Sequence, residues 1–201
     1  MAIHKTYSQA GQDLFIMNVL GYLSNGYFID IGCNDPQIYS NTRLLEDYNW
    51  NGIAFDQYEI NNFSKHRKCN FILGDATQHD YNYIFKSYNV PSLIDYLSID
   101  IDIMSLEVLE KLPLSEYECK TITIEHDWYQ YGDTLRANQR QKLSNLGYLL
   151  LCSDVGGEKP DGSLVYFEDW WINPKYINPD KLKHIQLDKT LFLDILQKLY
   201  V

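Results

Sequence analysis

The chain is short of positive charge: 17 Lys and Arg stand against 27 Asp and Glu, for a net charge of −10 over 201 residues. The densest basic group is the four-residue "KHRK" at 65–68. A duplex nucleic-acid partner is bound through clustered Lys and Arg, so this balance points away from one. The four cysteines, at 33, 69, 119 and 152, form no C-x-x-C pair and no metal-ligand spacing; they read as reduced thiols of a cytoplasmic protein. Long apolar runs are missing too. The amino-terminal stretch "MAIHKTYSQAGQDLFIMNVLGYL" has no basic region leading into an apolar core, and polar residues interrupt it every few positions. It reads as neither a signal peptide nor a membrane span. Glycine is missing where a dinucleotide would need it. After the first predicted strand only Gly32 is present, followed by Asn34, Asp35 and Pro36. G-x-G-x-x-G is therefore absent, an aspartate would repel a pyrophosphate, and the proline removes an amide donor.

What is present is a chain that is 45% hydrophobic and 14% aromatic, enough for one domain over 1–201 with a full core. Apolar spacing predicts a helix over 9–23. Strands are predicted at "GYFIDIG", at 51–56, 70–75, 93–102 and 119–127. Helices are predicted between them at 40–49, with Ser40 or Asn41 as cap, and at 59–68, 80–89, 105–112 and 134–147. "YLLLCSDV" and "SLVYFEDWWI", joined by "GGEKPDG", read as a hairpin, and 188–199 as a last helix. Strands alternating with helices imply an α/β fold: a mostly parallel seven-stranded sheet, helices on both faces, and a carboxyl-terminal antiparallel hairpin at its edge.

In such sheets ligands bind beyond the carboxyl ends of the strands. Those ends read Asp30-Ile31-Gly32, Asp56, Asp75, Asp100 with Asp102, and Glu125-His126-Asp127. Each carries an acid. Gly32 lets the backbone approach a ligand and Asp30 can face a cation. Asp56 is positioned to accept both hydroxyls of a ribose, and Asp75-Ala76 to accept from an adenine amine. A ribose, an adenine and a positive centre without phosphate describe S-adenosylmethionine.

"SQAGQDLF" (8–15), "GYFIDIGCNDPQIYSNTRLLE" (26–46), "WNGIAFD" (50–56), "YLSIDID" (96–102) and "ITIEHDWY" (122–129) resemble the FkbM family of S-adenosylmethionine-dependent methyltransferases, over nearly the whole chain. The resemblance implies the class I methyltransferase fold, which is Rossmann-like, and O-methylation of a sugar hydroxyl on a glycan or glycosylated metabolite. A deoxyhexose such as rhamnose is one candidate acceptor, and bacterial and viral glycan pathways are candidate settings, the latter in the host cytoplasm. It carries Gln9, Gln12, Asp30, Gly32, Cys33, Asn34, Asp56, Asp75 and Ala76 over as cofactor-binding residues. Two departures stand out: Asp56 where the family usually has Glu, and Asp100-Ile101-Asp102-Ile103 where it commonly has D-x-E-G.

A hydroxyl that attacks the methyl group must lose its proton to a base. The candidates are His126, Asp102, Asp100 and Glu125. Residues two apart in an extended chain share a face, so Asp100 converges with Asp102, and Glu125 with Asp127. His126 points the other way unless the chain turns there. The same acids suit Mg²⁺ or Mn²⁺. Asp100-Ile101-Asp102 also matches the D-x-D of nucleotide-sugar glycosyltransferases, and a binding module without catalysis is a third reading. The aromatic segments 126–133 and 166–176, with Trp170 and Trp171, are candidates for stacking on a sugar ring.

Overall fold

A computed structural model describes residues 5–159 and 161–199. Its centre is one sheet of eight strands: β1 (Tyr27–Ile31), β2 (Asn51–Asp56), β3 (Asn70–Leu73), β4 (Leu93–Ile99), β5 (Glu118–Glu125), β6 (Leu149–Glu158), β7 (Leu164–Ile172) and β8 (Leu187–Asp188). The order is β3-β2-β1-β4-β5-β7-β6-β8. The first five strands are mutually parallel, and β7 runs antiparallel to both β5 and β6. The expected count was seven. The eighth strand is the two-residue β8 beside β6, too short to leave a periodic pattern; it also moves the hairpin in from the sheet's edge. The sheet order reverses between β1 and β4, so the loops after these strands part there and leave a crevice.

Alternation along the strands builds two cores. Ile29 and Ile31 of β1 point to one face, with Ile53, Phe55, Leu97, Ile122 and Trp171. Phe28 points to the other, with Trp50, Tyr96 and Trp170. The two adjacent tryptophans of β7 thus fill opposite layers and are both fully enclosed. This corrects their reading as sugar-stacking residues. The first core is covered by α3 (Tyr81–Ser87), α4 (Ser105–Lys111) and α6 (Asp133–Asn145). The second is covered by α1 (Gln12–Val19) and α7 (Phe192–Leu199), with Phe15 of α1 stacked 4.4 Å from Trp170. The short helices α2 (Phe63–His66) and α5 (Trp128–Tyr131) sit in connecting loops. Among the described residues no helix is long and apolar enough to cross a membrane.

Several bounds differ from expectation for local reasons. Helix α1 starts at Gln12 rather than 9, because Gly11 at φ 73° precedes it. It ends at Val19 ahead of the left-handed pair Gly21 and Tyr22. The expected helix at 40–49 is only a 3₁₀ turn, Leu45–Tyr48. Its expected caps are engaged elsewhere: Ser40 Oγ accepts from Arg67 Nη1 at 3.0 Å and Asn41 Nδ2 donates to Ser98 Oγ at 3.0 Å. Strand β6 continues through Gly156–Glu158 because its pairing with β7 extends to Glu158–Leu164. Pro160 of the expected hairpin connection lies outside the described residues.

Candidate functional site

The carboxyl ends of β1, β2, β3 and β4 open onto one cleft of about 350 Å³. Its wall includes Gln9, Gly32, Asn34, Asp56, Asp75, Ala76, Asp100 and Asp102. Glycine at 32 has a steric cause. Its φ is +88°, and a Cβ there would lie 1.9 Å from the Asp100 carbonyl oxygen. No side chain fits that gap, so the β1 loop touches the end of β4 only as glycine. The Asp100 amide completes the join by donating to Ile31 O at 2.9 Å.

Asp56 is held between two loops. The Asn34 amide donates to Oδ2 and the Tyr58 amide to Oδ1, both at 2.9 Å. Each carboxylate oxygen keeps further acceptor capacity toward the cleft. Asp75 accepts from both the hydroxyl and the amide of Thr77 at 2.8 Å, and these bonds lower its pKa. Tyr39 and Tyr58 stand at the rim, 62% and 70% exposed. Sequence reasoning missed both; the available signal was their position one loop beyond β1 and β2.

A second group of acids lies where β4, β5 and β7 meet. Asp100 and Glu125 share a hydrogen bond. Burial, with the charges of Asp30, Asp102 and Asp127 added, pushes Asp100 up to about 6. Burial and the Asp100 carboxyl push Glu125 up to about 10. Glu125 Oε2 also accepts from the Asp102 amide at 3.1 Å. Glu168, opposite Glu125 in the β5–β7 ladder, is enclosed. Burial raises it to about 8, and the charge of Asp100 adds to the rise. Asp102 and Asp127 both have left-handed backbones, at φ 52° and 40°, a conformation that costs a non-glycine residue about 1–2 kcal/mol. Strands β4 and β5 stop at 99 and 125, short of the expected 102 and 127. At β5 the chain turns as the amides of His126 and Asp127 both donate to Phe167 O.

Five expected residues lie off the cleft wall: Glu125, described above, and four others. Asp30 is enclosed on the other side of β1, where it accepts from Thr42 Oγ1 at 2.6 Å and Arg67 also contacts Thr42; burial raises its pKa against the pull of the Arg67 charge. Gln12 is buried and donates to Glu168 Oε1 at 2.9 Å. Cys33 packs with Ala54 and Phe63. His126 has no exposed surface. Its Nδ1 accepts from the Trp128 amide, and its Nε2 lies 3.5 and 3.6 Å from Asp154 and Asp169. Arg140 already pairs with both of these acids, and Arg136 with Asp154. The turn after β5 places His126 in this network.

Comparison with solved structures decides the fold. A Pyrococcus horikoshii protein assigned as an RNA methyltransferase superposes with a TM-score of 0.52 at 12% identity, covering 82% of this chain and 81% of that one. The fold is that of the class I methyltransferases. An rRNA methylase from Streptococcus thermophilus matches at 0.48 and 13% identity over 86% of this chain and 99% of its own. The plantazolicin methyltransferase, solved in complex with S-adenosylhomocysteine, matches at 0.46 and 14% over 82% of each. No family model and no curated protein matches the sequence.

Proposed function

We propose that the chain is an S-adenosylmethionine-dependent O-methyltransferase of the FkbM type that acts on a hydroxyl of a sugar or glycosylated acceptor in the cytoplasm. The observation that carries this reading is the make-up of the cleft. Gly32, Asn34, Asp56, Asp75 and Ala76 come from three successive strand ends and line one volume, within the size range of small-molecule sites. Asp56 would accept the ribose hydroxyls. Asp75 and Ala76 would flank the adenine, and the Gly32–Asn34 turn the amino-acid end. Gln9 reaches the same cleft from the chain ahead of α1. The enclosed residues Gln12, Asp30 and Cys33 support the site from behind.

The cofactor supplies an electrophilic methyl group. Bound there, it would supply that methyl to the acceptor oxygen and leave as S-adenosylhomocysteine. The protein's part is alignment, and removal of the hydroxyl proton. We assign that proton to Asp100 and Asp102 at the end of β4, both of which line the cleft. His126 is enclosed and faces Asp154 and Asp169 rather than the cleft, which argues against it as the base. A sugar fits the rim better than a nucleic acid does. Among the described residues lining the cleft there is no Lys or Arg for a phosphate, while Tyr39 and Tyr58 offer faces for a sugar ring.

Thermal melting tests the reading. S-adenosylhomocysteine at one hundred times its dissociation constant stabilises a one-site protein by about 2.7 kcal/mol, so the melting temperature should rise, with no rise from NAD or a UDP-sugar. A shift with a UDP-sugar and Mn²⁺, and none with S-adenosylhomocysteine, overturns it in favour of glycosyl transfer.

A further inference from the structure

The segment "SQAGQD" (8–13) supplies one residue to the cleft wall, Gln9. The rest of it, with Thr6 and Tyr7 ahead, is tied into a loop. Asp13 has no exposed surface, and its carboxylate accepts four hydrogen bonds. One of them, from the Leu14 amide at 2.8 Å, belongs to α1. The other three reach back five to seven residues. Thr6 Oγ1 and Ser8 Oγ donate to Oδ1 at 2.6 and 2.7 Å, and the Tyr7 amide donates to Oδ2 at 2.8 Å. An acid in the first turn of a helix ordinarily serves that helix's own amides; this one mainly serves the chain ahead of it. Burying a carboxylate is costly unless hydrogen bonds satisfy it, so the loop and the acid hold each other in place.

Further ties fix the rest of the loop. Gln12 Oε1 accepts from the Ala10 amide at 2.9 Å, while its Nε2 holds Glu168. Gly11, at φ 73°, lies so near Leu196 of α7 that a Cβ there would stand 2.7 Å from Leu196 Cδ1. The Ser40 amide, beyond the end of β1, donates to Tyr7 O at 3.0 Å. Ser8 and Ala10 are buried, and Gln9 between them is exposed. Among the described residues none bonds to the Gln9 side-chain amide. Ser8, Gln12 and Asp13 are thus engaged within the protein, and Gln9 is left to the cleft.

We propose that Asp13 is a positioning residue for the cofactor: by closing the loop over 6–12 it holds the Gln9 amide at the amino-acid end of bound S-adenosylmethionine. The proposal rests on the methyl-transfer reading. A primary amide both donates and accepts, so at that end it serves the carboxylate or the ammonium equally well. Gln9 shares the cleft wall with Gly32 and Asn34, the turn assigned to the same end. Loosening the loop lowers the population with Gln9 in place, and the apparent affinity falls by that fraction. The loss through Asp13 is therefore bounded by the loss from removing Gln9 itself.

Calorimetric titration with S-adenosylhomocysteine of the parent, Gln9→Ala, Asp13→Asn and the double variant tests this bound. Asparagine keeps the size of Asp13 but sets an NH₂ group against the Tyr7 or the Leu14 amide. Gln9→Ala should weaken binding about tenfold, as for a hydrogen bond to a charged group. Asp13→Asn should weaken it about threefold or more, and the double variant should match Gln9→Ala within about twofold. A merely structural effect of Asp13 would instead multiply with that of Gln9→Ala, and that result overturns the proposal. So does parent-like affinity in Asp13→Asn or in Gln9→Ala, which leaves the methyl-transfer reading standing; no binding by the parent overturns both. If Asp13→Asn misfolds, Thr6→Val with Ser8→Ala decides the matter. That pair removes two of the loop's donors and leaves Asp13 its bonds to the Tyr7 and Leu14 amides. It should weaken binding about threefold in the parent and not in Gln9→Ala, and equal losses in both overturn the proposal.

Discussion

Glu168 offers a quantitative check on the acids behind the cleft. It is enclosed, it accepts from Gln12 Nε2 at 2.9 Å, and burial raises its pKa from 4.5 to about 8. A carboxyl raised in the folded state holds its proton there after the unfolded chain has lost it. Its contribution to stability is therefore complete below about pH 4.5 and is lost as pH rises to about 8. Within that window one proton separates the two states, which is a slope of about 1.4 kcal/mol per pH unit. From pH 5.5 to 7.5 this one group removes on the order of 2–3 kcal/mol, or roughly 5–10 °C of melting temperature for a chain of this size.

The perturbation is Glu168→Gln. The amide is isosteric with the protonated acid, keeps an oxygen for Gln12, and does not titrate. Thermal and urea unfolding, followed by near-ultraviolet circular dichroism with EDTA present, should give a variant whose stability falls less steeply than the parent's by about one proton's worth of slope. Glu125, raised to about 10, adds a slope of the same sign in both proteins, so the difference between the two curves is the measurement. Parallel curves would refute the reasoning: Glu168 would then be ionised in the native state, and the enclosure between β5 and β7 would not be as described.

Three other substitutions test the parts separately. Asp56→Ala should weaken S-adenosylhomocysteine by tenfold or more in calorimetry, since hydrogen bonds to a charged group contribute about 1.5–3 kcal/mol each; parent-like affinity would mean that no ribose sits against the end of β2. Gly32→Ala places a Cβ 1.9 Å from Asp100 O on a backbone at φ +88°, so the melting temperature should drop sharply, and an unchanged one would exclude the close approach of β1 to β4. Arg67→Met strands the buried Glu46 carboxylate that it meets at 2.9 Å, for a loss of about 3–5 kcal/mol measurable by urea unfolding; a loss under about 1 kcal/mol would mean that the pair is open to water.

Legibility in the sequence followed distance along the chain. Strands β1 to β5 are continuous apolar runs that end near an acid, and each could be read to within a few residues. Gly32, Asp56, Asp75 and Asp100 required only those ends to be found, because a parallel sheet brings its carboxyl ends to one edge. The misreadings needed knowledge of a remote partner. Asp30 lies behind the cleft because Thr42 holds it and Arg67 is drawn in beside it. His126 is enclosed because Asp154 and Asp169 arrive from β6 and β7. The helix expected at 40–49 is lost because Ser40 and Asn41 bond to Arg67 and Ser98 instead of capping it. No local pattern in the sequence encodes such pairings.

Net charge also reads differently once the acids are located. The value of −10 counts every Asp and Glu as ionised. Glu125 and Glu168, raised to about 10 and about 8, hold protons at neutral pH, while Asp75, lowered by its Thr77 bonds, does not. The two ends of the site thus differ. Toward β2 and β3 the acids are shallow and held by backbone amides, as suits a ligand that donates hydroxyls and an amine. Toward β4 and β5 they are crowded, and burial holds protons on some of them. Overall acidity is therefore a weak guide to the ligand. The preference against a phosphate-bearing partner rests on the lack of any Lys or Arg among the described residues that line the cleft, a local fact that would hold at any net charge.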